Sequence, residues 1–159
     1  MKLYFVRHGK ASSVASSDEM RPLTHQGADD VRRMGRFLEK IGVQPTRIYT
    51  SPRLRALQTA NIIADSLGVQ AHVDDACNFH FSIRHLPELV AGMGEEDEVM
   101  FVGHNPSMSE IVKATCGAEV DLSTGAVACV TKIYPQAKAN SGTLKWLLTP
   151  KTVEAIADS

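Results

Sequence analysis

Short apolar runs alternate along much of the chain with longer segments in which apolar residues recur every three or four positions. A short continuous apolar run that stops at polar residues is typical of a strand buried on both faces of a sheet. The predicted strands are Leu3–Val6, Arg47–Thr50, Val69–Val73, Val99–Val102, Ala126–Tyr134 and Thr143–Leu148. The segments between the early strands are therefore expected to be helices.

Capping residues indicate where these helices begin and end. Thr24 is expected to be the N-cap of a first helix that Gly42 ends. Ser51 and Pro52 are expected to be the N-cap and the first residue of a second helix, which ends at Gly68. Further helices are predicted from Ser82 to about Val90, after Pro106 and from Pro150.

This order of elements predicts an α/β fold. Alternating strands and helices favour a three-layer sandwich, in which a mostly parallel central sheet has helices on both faces. The last two strands, joined by a polar turn over Gln136–Gly142, can add an antiparallel edge. The length of 159 residues predicts one domain, residues 1–159.

Composition and charge disfavour several classes of protein. The net charge of −1 gives no basic field that would attract nucleic acid or an anionic membrane, so any anion site must be local. The apolar runs are too short for a signal peptide or a membrane span. Cys77, Cys116 and Cys129 are odd in number and widely spaced, which fits a reducing compartment. We therefore predict a cytoplasmic protein.

Three predicted strands end in chemically similar residues. The first ends in Arg7-His8-Gly9, the second leads into Ser51–Arg55, and the fourth ends in Gly103–Pro106. In open α/β sheets, ligands bind beyond the carboxyl ends of the strands. Two histidines and several arginines would then meet at one edge, together with helix N-termini that favour anions.

Arg53 and Arg55 are unfavourably placed for helix stability, because a cation in the first turn opposes the helix dipole. We expect Arg55 to point over the helix end towards an anion, and Arg53 to be solvated on the outer face. Clustered guanidinium groups suit a phosphoryl group, whose oxygens they bind bidentately. A neutral His8 has a lone pair that can attack phosphorus, and a protonated His104 can donate to a phosphoryl oxygen.

Metal binding is the competing use of such histidines. The six histidines form no H-x-H or H-E-x-x-H pattern, and no carboxylate stands beside His8 or His104. The chain also lacks the glycine-rich phosphate-binding loop with its lysine that nucleotide-driven kinases of the P-loop type use. We therefore expect neither a metal nor another cofactor.

Together these motifs resemble the histidine phosphatase superfamily, which is phosphoglycerate mutase-like in fold. The matching segments are Arg7-His8-Gly9, Ser51–Ala60 (Ser-Pro-x-x-Arg-Ala-x-Gln-Thr-Ala) and Gly103–Pro106 (Gly-His-Asn-Pro). The resemblance implies that His8 becomes phosphorylated. It also implies that the phosphoryl group is bound by Arg7, Gly9, Arg55 and His104.

Within the superfamily the chain resembles the small SixA-type phosphohistidine phosphatases, in its length and in the segments Arg21–Thr24 and Thr124–Val127. This resemblance implies that Arg21 lines the pocket. A chain without a large inserted cap is expected to have a shallow site that admits a protein side chain. The implied partner is a phosphorylated protein of the histidine-phosphotransfer or phosphocarrier type, and the oligomeric state stays open.

One segment departs from the pattern of many superfamily members. Asp74–His80 contains no glutamate to protonate an alkoxide leaving group, so Asp75 and His80 are the candidate proton donors, each also explicable as a loop residue. A missing acid costs about 10²–10⁴-fold on a poor leaving group, which favours the P–N bond of phosphohistidine. The alternatives are a phosphatase of sugar or nucleotide phosphates, or a non-catalytic module that recognises phosphorylated partners.

Overall fold

The computed structural model describes residues 1–133 and 138–157. Within these ranges the strands are β1 (Lys2–Arg7), β2 (Arg47–Thr50), β3 (Ala71–Val73), β4 (Glu98–Gly103), β5 (Val127–Thr131) and β6 (Thr143–Leu148). They form one sheet in the order β3-β2-β4-β1-β5-β6. The first four strands are parallel, whereas β5 is antiparallel to both of its neighbours. The predicted mostly parallel sheet with a late antiparallel pair is confirmed.

Helices cover both faces of this sheet. The helices of the described ranges are α1 (His25–Lys40), α2 (Leu54–Leu67), α3 (Leu86–Leu89), α4 (Ser107–Cys116) and α5 (Pro150–Ala157). Buried residues of α1, α2 and α5 pack on one face, and those of α3 and α4 pack on the other. This arrangement confirms the three-layer α/β sandwich. In the described parts of the chain, no helix combines the length and the apolar character needed to cross a lipid bilayer.

The central strand β1 shows why the apolar runs are continuous. Leu3 and Phe5 face the layer that contains α4, and Tyr4 and Val6 face the layer that contains α1 and α2. Each of these four side chains is at most 2% exposed. A strand covered on both faces has no polar face, so its sequence does not alternate.

The two long helices differ in how well their starts were predicted. Thr24 caps α1 as expected, because its Oγ1 accepts a hydrogen bond from the Gly27 amide at 2.9 Å. The predicted start of α2 at Ser51 and Pro52 is wrong, since the helix begins at Leu54. The Ser51 amide donates to the Val102 carbonyl of β4 at 3.0 Å, so the backbone is still sheet-bonded at this residue.

The segment after the third strand begins its helix late. Ser82 precedes a 3₁₀ helix, Ile83–His85, and α3 follows directly. Pro87 lies in the first turn of α3, where its missing N–H has no helical partner to lose. The helix predicted from Ser82 therefore begins only at Leu86.

The strand predicted over Ala126–Tyr134 is shorter than expected. Strand β5 ends at Thr131, and Lys132 has a positive φ of 61°, which turns the backbone out of the extended conformation. Tyr134 lies outside the described residues, as do the first two residues of the predicted turn Gln136–Gly142. The strand predicted over Val69–Val73 likewise begins only at Ala71.

Candidate active site

Three strand ends meet at one edge of the sheet. Arg7 ends β1 and His8 follows it, Ser51 follows β2, and His104 follows β4. Because β2, β4 and β1 are parallel neighbours, their carboxyl ends lie side by side. The ring centroids of His8 and His104 are 5.3 Å apart. The tertiary structure therefore places two histidines, far apart in sequence, next to each other.

The segment Arg7-His8-Gly9 is fixed through its backbone. The His8 amide donates to the Gly103 carbonyl at 2.9 Å, and the Gly125 amide donates to the His8 carbonyl at 2.9 Å. The Gly9 amide donates to Thr59 Oγ1 of α2 at 3.0 Å. These bonds tie the end of β1 to β4, to α2 and to the segment before β5, so the position of His8 is set by several elements.

His8 is 9% exposed, and its two ring nitrogens have distinct surroundings. Nδ1 lies 2.7 Å from the Gly9 carbonyl oxygen, which can only accept, so Nδ1 bears the proton. Nε2 lies 3.4 Å from Nε of Arg55, which donates to it. Burial lowers the pKa of His8 to about 4, and the charges of Arg55 and Arg7 act in the same direction. The imidazole is therefore neutral at pH 7, with its lone pair on Nε2.

His104 is 1% exposed and stands close to Ser51. Its Nε2 lies 2.8 Å from Ser51 Oγ, which can donate to it and leave the proton on Nδ1. This Nδ1 is buried and has no hydrogen-bond partner within residues 1–133 and 138–157. Burial lowers the pKa of His104 to about 3, and His8 and Arg55 add to this effect. The expected protonated His104 does not fit this pKa, yet the neutral ring offers an N–H donor.

The two motif arginines approach the histidines from different sides. Arg7 donates from Nη1 to the Leu122 carbonyl at 2.9 Å. Its Nε is buried and has no partner among the residues that the structure describes. Arg55 is 4% exposed and contacts His8 directly, as expected for a side chain pointing over the start of α2. The buried N–H groups of Arg7 and His104 thus lack a partner among the described residues, whereas the guanidinium of Arg55 also contacts Asp18.

Arg21 lies near the same site but is held by the loop after β1. Its Nε donates to the Ser12 carbonyl at 2.8 Å, and its Nη1 lies 3.2 Å from Asp18 Oδ1. Its charge also contributes to the lowered pKa of His8. The structure therefore brings Arg21 to the histidines and arginines of the predicted site.

Arg53 is the residue whose placement was predicted wrongly. Its side chain is 16% exposed, and its Nε donates to Asn78 Oδ1 at 3.0 Å. Its guanidinium carbon lies 4.1 Å from the centroid of the Phe79 ring, within the range of a cation–π contact. The Phe79 ring in turn lies 4.7 Å from the His104 ring. Arg53, Asn78 and Phe79 thus border the site, and the unfavourable charge of Arg53 in the first turn was the signal.

Asp18 also joins the site, although no motif in the sequence pointed to it. Its carboxylate lies within 3.2 Å of guanidinium nitrogens of Arg21, Arg53 and Arg55. Partial burial raises the pKa of Asp18, but the hydrogen bond with Arg21 and the charges of Arg55 and Arg53 outweigh it and hold this pKa below its usual value. Its spacing of three residues before Arg21 was the only sequence signal, and a weak one.

Asp75 and His80 are not joined to these groups. Both are exposed, and within the described residues neither has a hydrogen bond or ion pair with His8, Arg55 or His104. Their assignment as proton donors stays a prediction. In the same ranges, no group of three histidine, cysteine or acidic side chains is arranged to hold a metal ion.

The fold and the paired histidines define a class of protein, and comparison with known proteins identifies it. The family model described as histidine phosphatase superfamily (branch 1) matches residues 3–78. The chain belongs to the histidine phosphatase superfamily and is a phosphatase. The mycobacterial glucosyl-3-phosphoglycerate phosphatase shares this fold, with a TM-score of 0.69 at 15% identity over 91% of this chain and 95% of that one.

SixA proteins are similar to this chain over almost its whole length. Phosphohistidine phosphatase SixA of Escherichia coli is 29% identical in an alignment 157 positions long, which covers 94% of this chain and 94% of that one. The solved structure of the protein histidine phosphatase SixA complexed with tungstate gives a TM-score of 0.83 at 28% identity. It covers 96% of this chain and 99% of that one. The resemblance to SixA-type phosphatases is thereby confirmed.

Proposed function

We propose that this phosphatase removes the phosphoryl group from phosphohistidine in proteins, through a phosphohistidine intermediate on its own His8. One observation carries the proposal. The Nδ1–H of His8 is bound to the Gly9 carbonyl, so that the lone pair of a buried, neutral imidazole is on Nε2 beside Arg55. A nucleophile that is already deprotonated at neutral pH needs no separate base.

The first step transfers the phosphoryl group to His8. The substrate imidazole carries a proton, taken from solvent, on the ring nitrogen that does not bear phosphorus. Nε2 of His8 attacks phosphorus, an Nε2–P bond forms, and the P–N bond of the substrate breaks, its electron pair leaving with the now neutral imidazole. Positive charge develops on His8 and is stabilised by the hydrogen bond from Nδ1 to the Gly9 carbonyl. Arg7 and Arg55 neutralise the phosphoryl oxygens, and the unpaired Nδ1–H of His104 donates to one of them.

The second step releases phosphate. A water molecule attacks phosphorus, the Nε2–P bond breaks, and the lone pair returns to His8. The same donors bind the phosphoryl oxygens in both steps, because the group moves only between two in-line partners. Neither step requires a metal or an organic cofactor.

The surroundings of the site support phosphohistidine as the substrate. Among the described residues, the carboxylate that contacts Arg55 is that of Asp18. The lowered pKa of Asp18 keeps this group ionised at pH 7. An ionised carboxylate cannot protonate an alkoxide, whereas a protonated imidazole leaves readily without an acid. The name of the E. coli relative, a phosphohistidine phosphatase, supports the same substrate class.

Exposed apolar side chains support a protein as the bearer of the phosphohistidine. Phe79, 40% exposed, contacts His104, and Met20, 53% exposed, lies in the 3₁₀ helix that also contains Asp18. Apolar side chains exposed at the border of the site offer contacts to a protein that presents a phosphohistidine. A histidine-phosphotransfer or phosphocarrier protein is the partner type we propose.

The test is to mix the enzyme with a phosphohistidine protein, quench within milliseconds and locate phosphate by mass spectrometry. We expect phosphate on His8, and a kcat/KM for the phosphohistidine protein well above that for sugar phosphates or p-nitrophenyl phosphate. His8→Ala should abolish turnover and retain part of the orthovanadate binding, because the arginines remain.

Three results would contradict the proposal. Full turnover by the His8→Ala variant would exclude His8 as the nucleophile. Equal or higher efficiency on alkyl phosphate esters would favour a small-molecule substrate. Phosphate binding without turnover of any substrate would favour a recognition module.

A further inference from the structure

One carboxylate lies in the middle of three guanidinium groups at the site. Asp18 Oδ1 is 3.2 Å from Nη1 of Arg21, and Asp18 Oδ2 is 2.5 Å from Nη1 of Arg53 and 3.2 Å from Nη2 of Arg55. The Asp18 backbone carbonyl also accepts from Nη1 of Arg55 at 2.9 Å. We call Arg21, Arg53 and Arg55 the arginine cluster. A single anion therefore occupies all three of its members.

This arrangement differs from the other arginine ion pairs in the described parts of the chain. Asp29 pairs with Arg32 at 2.8 Å and Asp30 with Arg33 at 3.5 Å, in each case one carboxylate with one guanidinium three residues later on α1. Among the residues described, Asp18 alone combines such a local pair with two partners from a distant segment. The local pairing rule for helices thus explains its contact with Arg21 but not its contacts with Arg53 and Arg55.

The segment that carries Asp18 contributes little to the core. The 3₁₀ helix Asp18–Met20 contains no buried residue, and Ser17 before it provides no side-chain cap. The Asp18 side chain is 49% exposed even while it is paired with the arginine cluster. A short segment with few buried contacts can move at low cost in free energy. The arginine cluster is therefore what holds Asp18 in place.

We propose that the Asp18 carboxylate is an internal anion that occupies the arginine cluster in the substrate-free enzyme and is displaced when a phosphoryl group binds. The inference rests on the proposed phosphoryl-binding role of this site. Asp18 makes no contact with the unpaired Arg7 Nε or His104 Nδ1, which stay available to the incoming group. The Asp18 carboxylate and the phosphoryl group would thus compete for Arg55.

The exchange has a physical basis. Without an anion, three guanidinium groups would repel one another, and the charges of Arg21 and Arg53 do act against that of Arg55. A phosphoryl group has nearly two negative charges and three strong acceptor oxygens, so it competes well with one carboxylate. The free energy needed to break the Asp18 contacts reduces the net binding free energy of the phosphoryl group. Asp18 would therefore weaken the retention of product phosphate and keep the empty site neutralised.

The test is isothermal titration of the wild type, Asp18→Asn and Asp18→Ala with inorganic phosphate and with orthovanadate. Both variants should bind these anions about three- to tenfold more tightly than the wild type. Each exposed ion pair of Asp18 is weak, but an anion that binds to the wild type has to displace three of them. Without anion, both variants should also unfold at a lower temperature than the wild type. Added phosphate should raise the unfolding temperature of the variants more than that of the wild type. Inhibition by product phosphate should become stronger in parallel.

Asp29→Asn is the matched control, since Asp29 forms an exposed pair with Arg32 at the same spacing but away from the site. Its anion affinity should equal that of the wild type, as should that of Asp18→Glu, which keeps the charge. Unchanged affinity in both Asp18 variants would overturn the inference alone, and weaker affinity would show that Asp18 positions the arginines. If the wild type itself bound neither anion, the proposed function would fail as well.

Discussion

His8 and His104 are neutral because burial and nearby cations act on them together. Burial lowers the pKa of His8 to about 4 and that of His104 to about 3, and Arg55 contributes to both shifts. A neutral His8 keeps the lone pair that attack on phosphorus requires. The arginines proposed to bind the phosphoryl group therefore also help to keep His8 unprotonated.

These pKa values make folding stability depend on pH. A histidine with a folded pKa near 4 and an ordinary value of 6.5 is protonated more readily in the unfolded chain. Its contribution to stability is complete above pH 6.5 and is lost as the pH falls from 6.5 towards 4. From His8 alone, the free energy of unfolding at pH 5 should be about 2 kcal/mol lower than at pH 7.

Urea denaturation of the wild type and of His8→Asn between pH 7.5 and pH 5 checks this prediction. The free energy of unfolding should fall less steeply in the variant, which has no imidazole at this position. Carboxylates whose pKa is lowered, such as Asp18 and Asp97, titrate below this range and should not contribute. Equal slopes for the two proteins would show that His8 is not the group responsible.

At the level of elements, the start of α1 is packed against the loop that follows His8. The Lys10 carbonyl accepts from the Thr24 amide at 2.9 Å. A Cβ atom on Gly27 would lie 2.2 Å from the same carbonyl oxygen, so only glycine fits at this contact. Helix α1 therefore supports the loop that begins at Gly9, although none of its side chains is among the residues of the candidate site.

Gly27→Ala should destabilise the protein by at least about 1–3 kcal/mol, the range for overpacking, because backbone atoms at Lys10 cannot move aside as a side chain would. Chemical denaturation measures this loss, and kcat/KM should fall with it as the loop shifts. Gly94→Ala is the control, since its new Cβ would meet nothing closer than 3.6 Å. A stability loss that is equal in both variants would show that the close contact at Lys10 is not the cause.

At the level of the whole molecule, the sheet separates two apolar clusters that together fix the strand order. Phe101 of β4 is fully buried and stacks on Phe5 at 5.6 Å and on Tyr49 at 5.9 Å between ring centroids. Phe81, from the loop that precedes α3, lies 5.3 Å from it. This aromatic group connects β1, β2 and β4, the three strands whose ends form the site.

Phe101→Ala should cost about 3–5 kcal/mol of folding stability, because removal of a buried ring leaves a cavity that the strands cannot close. Thermal and urea unfolding would measure the loss. Val14→Ala, at an 83% exposed position, should change stability by less than about 0.5 kcal/mol. A loss below about 1 kcal/mol for Phe101→Ala would show that this cluster does not hold the strands together.

The sequence by itself determined the parts of this protein that depend on local spacing. Apolar runs indicated the strands, Thr24 indicated the start of α1, and the three strand-end motifs indicated His8, His104, Arg7 and Arg55. Local patterns suffice here because a strand buried on both faces or a capped helix is specified by adjacent residues. The order of these elements was enough to indicate parallel strands with their ends at one edge.

Only the tertiary structure decided how the charges of the site are paired. Asp18 meets Arg53 and Arg55 across 35 and 37 positions of sequence, and Ser51 meets His104 across 53. Those contacts make Arg53 part of the site. The bond of the Ser51 amide to β4 delays the start of α2 to Leu54, and burial among remote segments leaves His104 neutral. Pairing and protonation depend on distances and burial between remote segments, which no local spacing records.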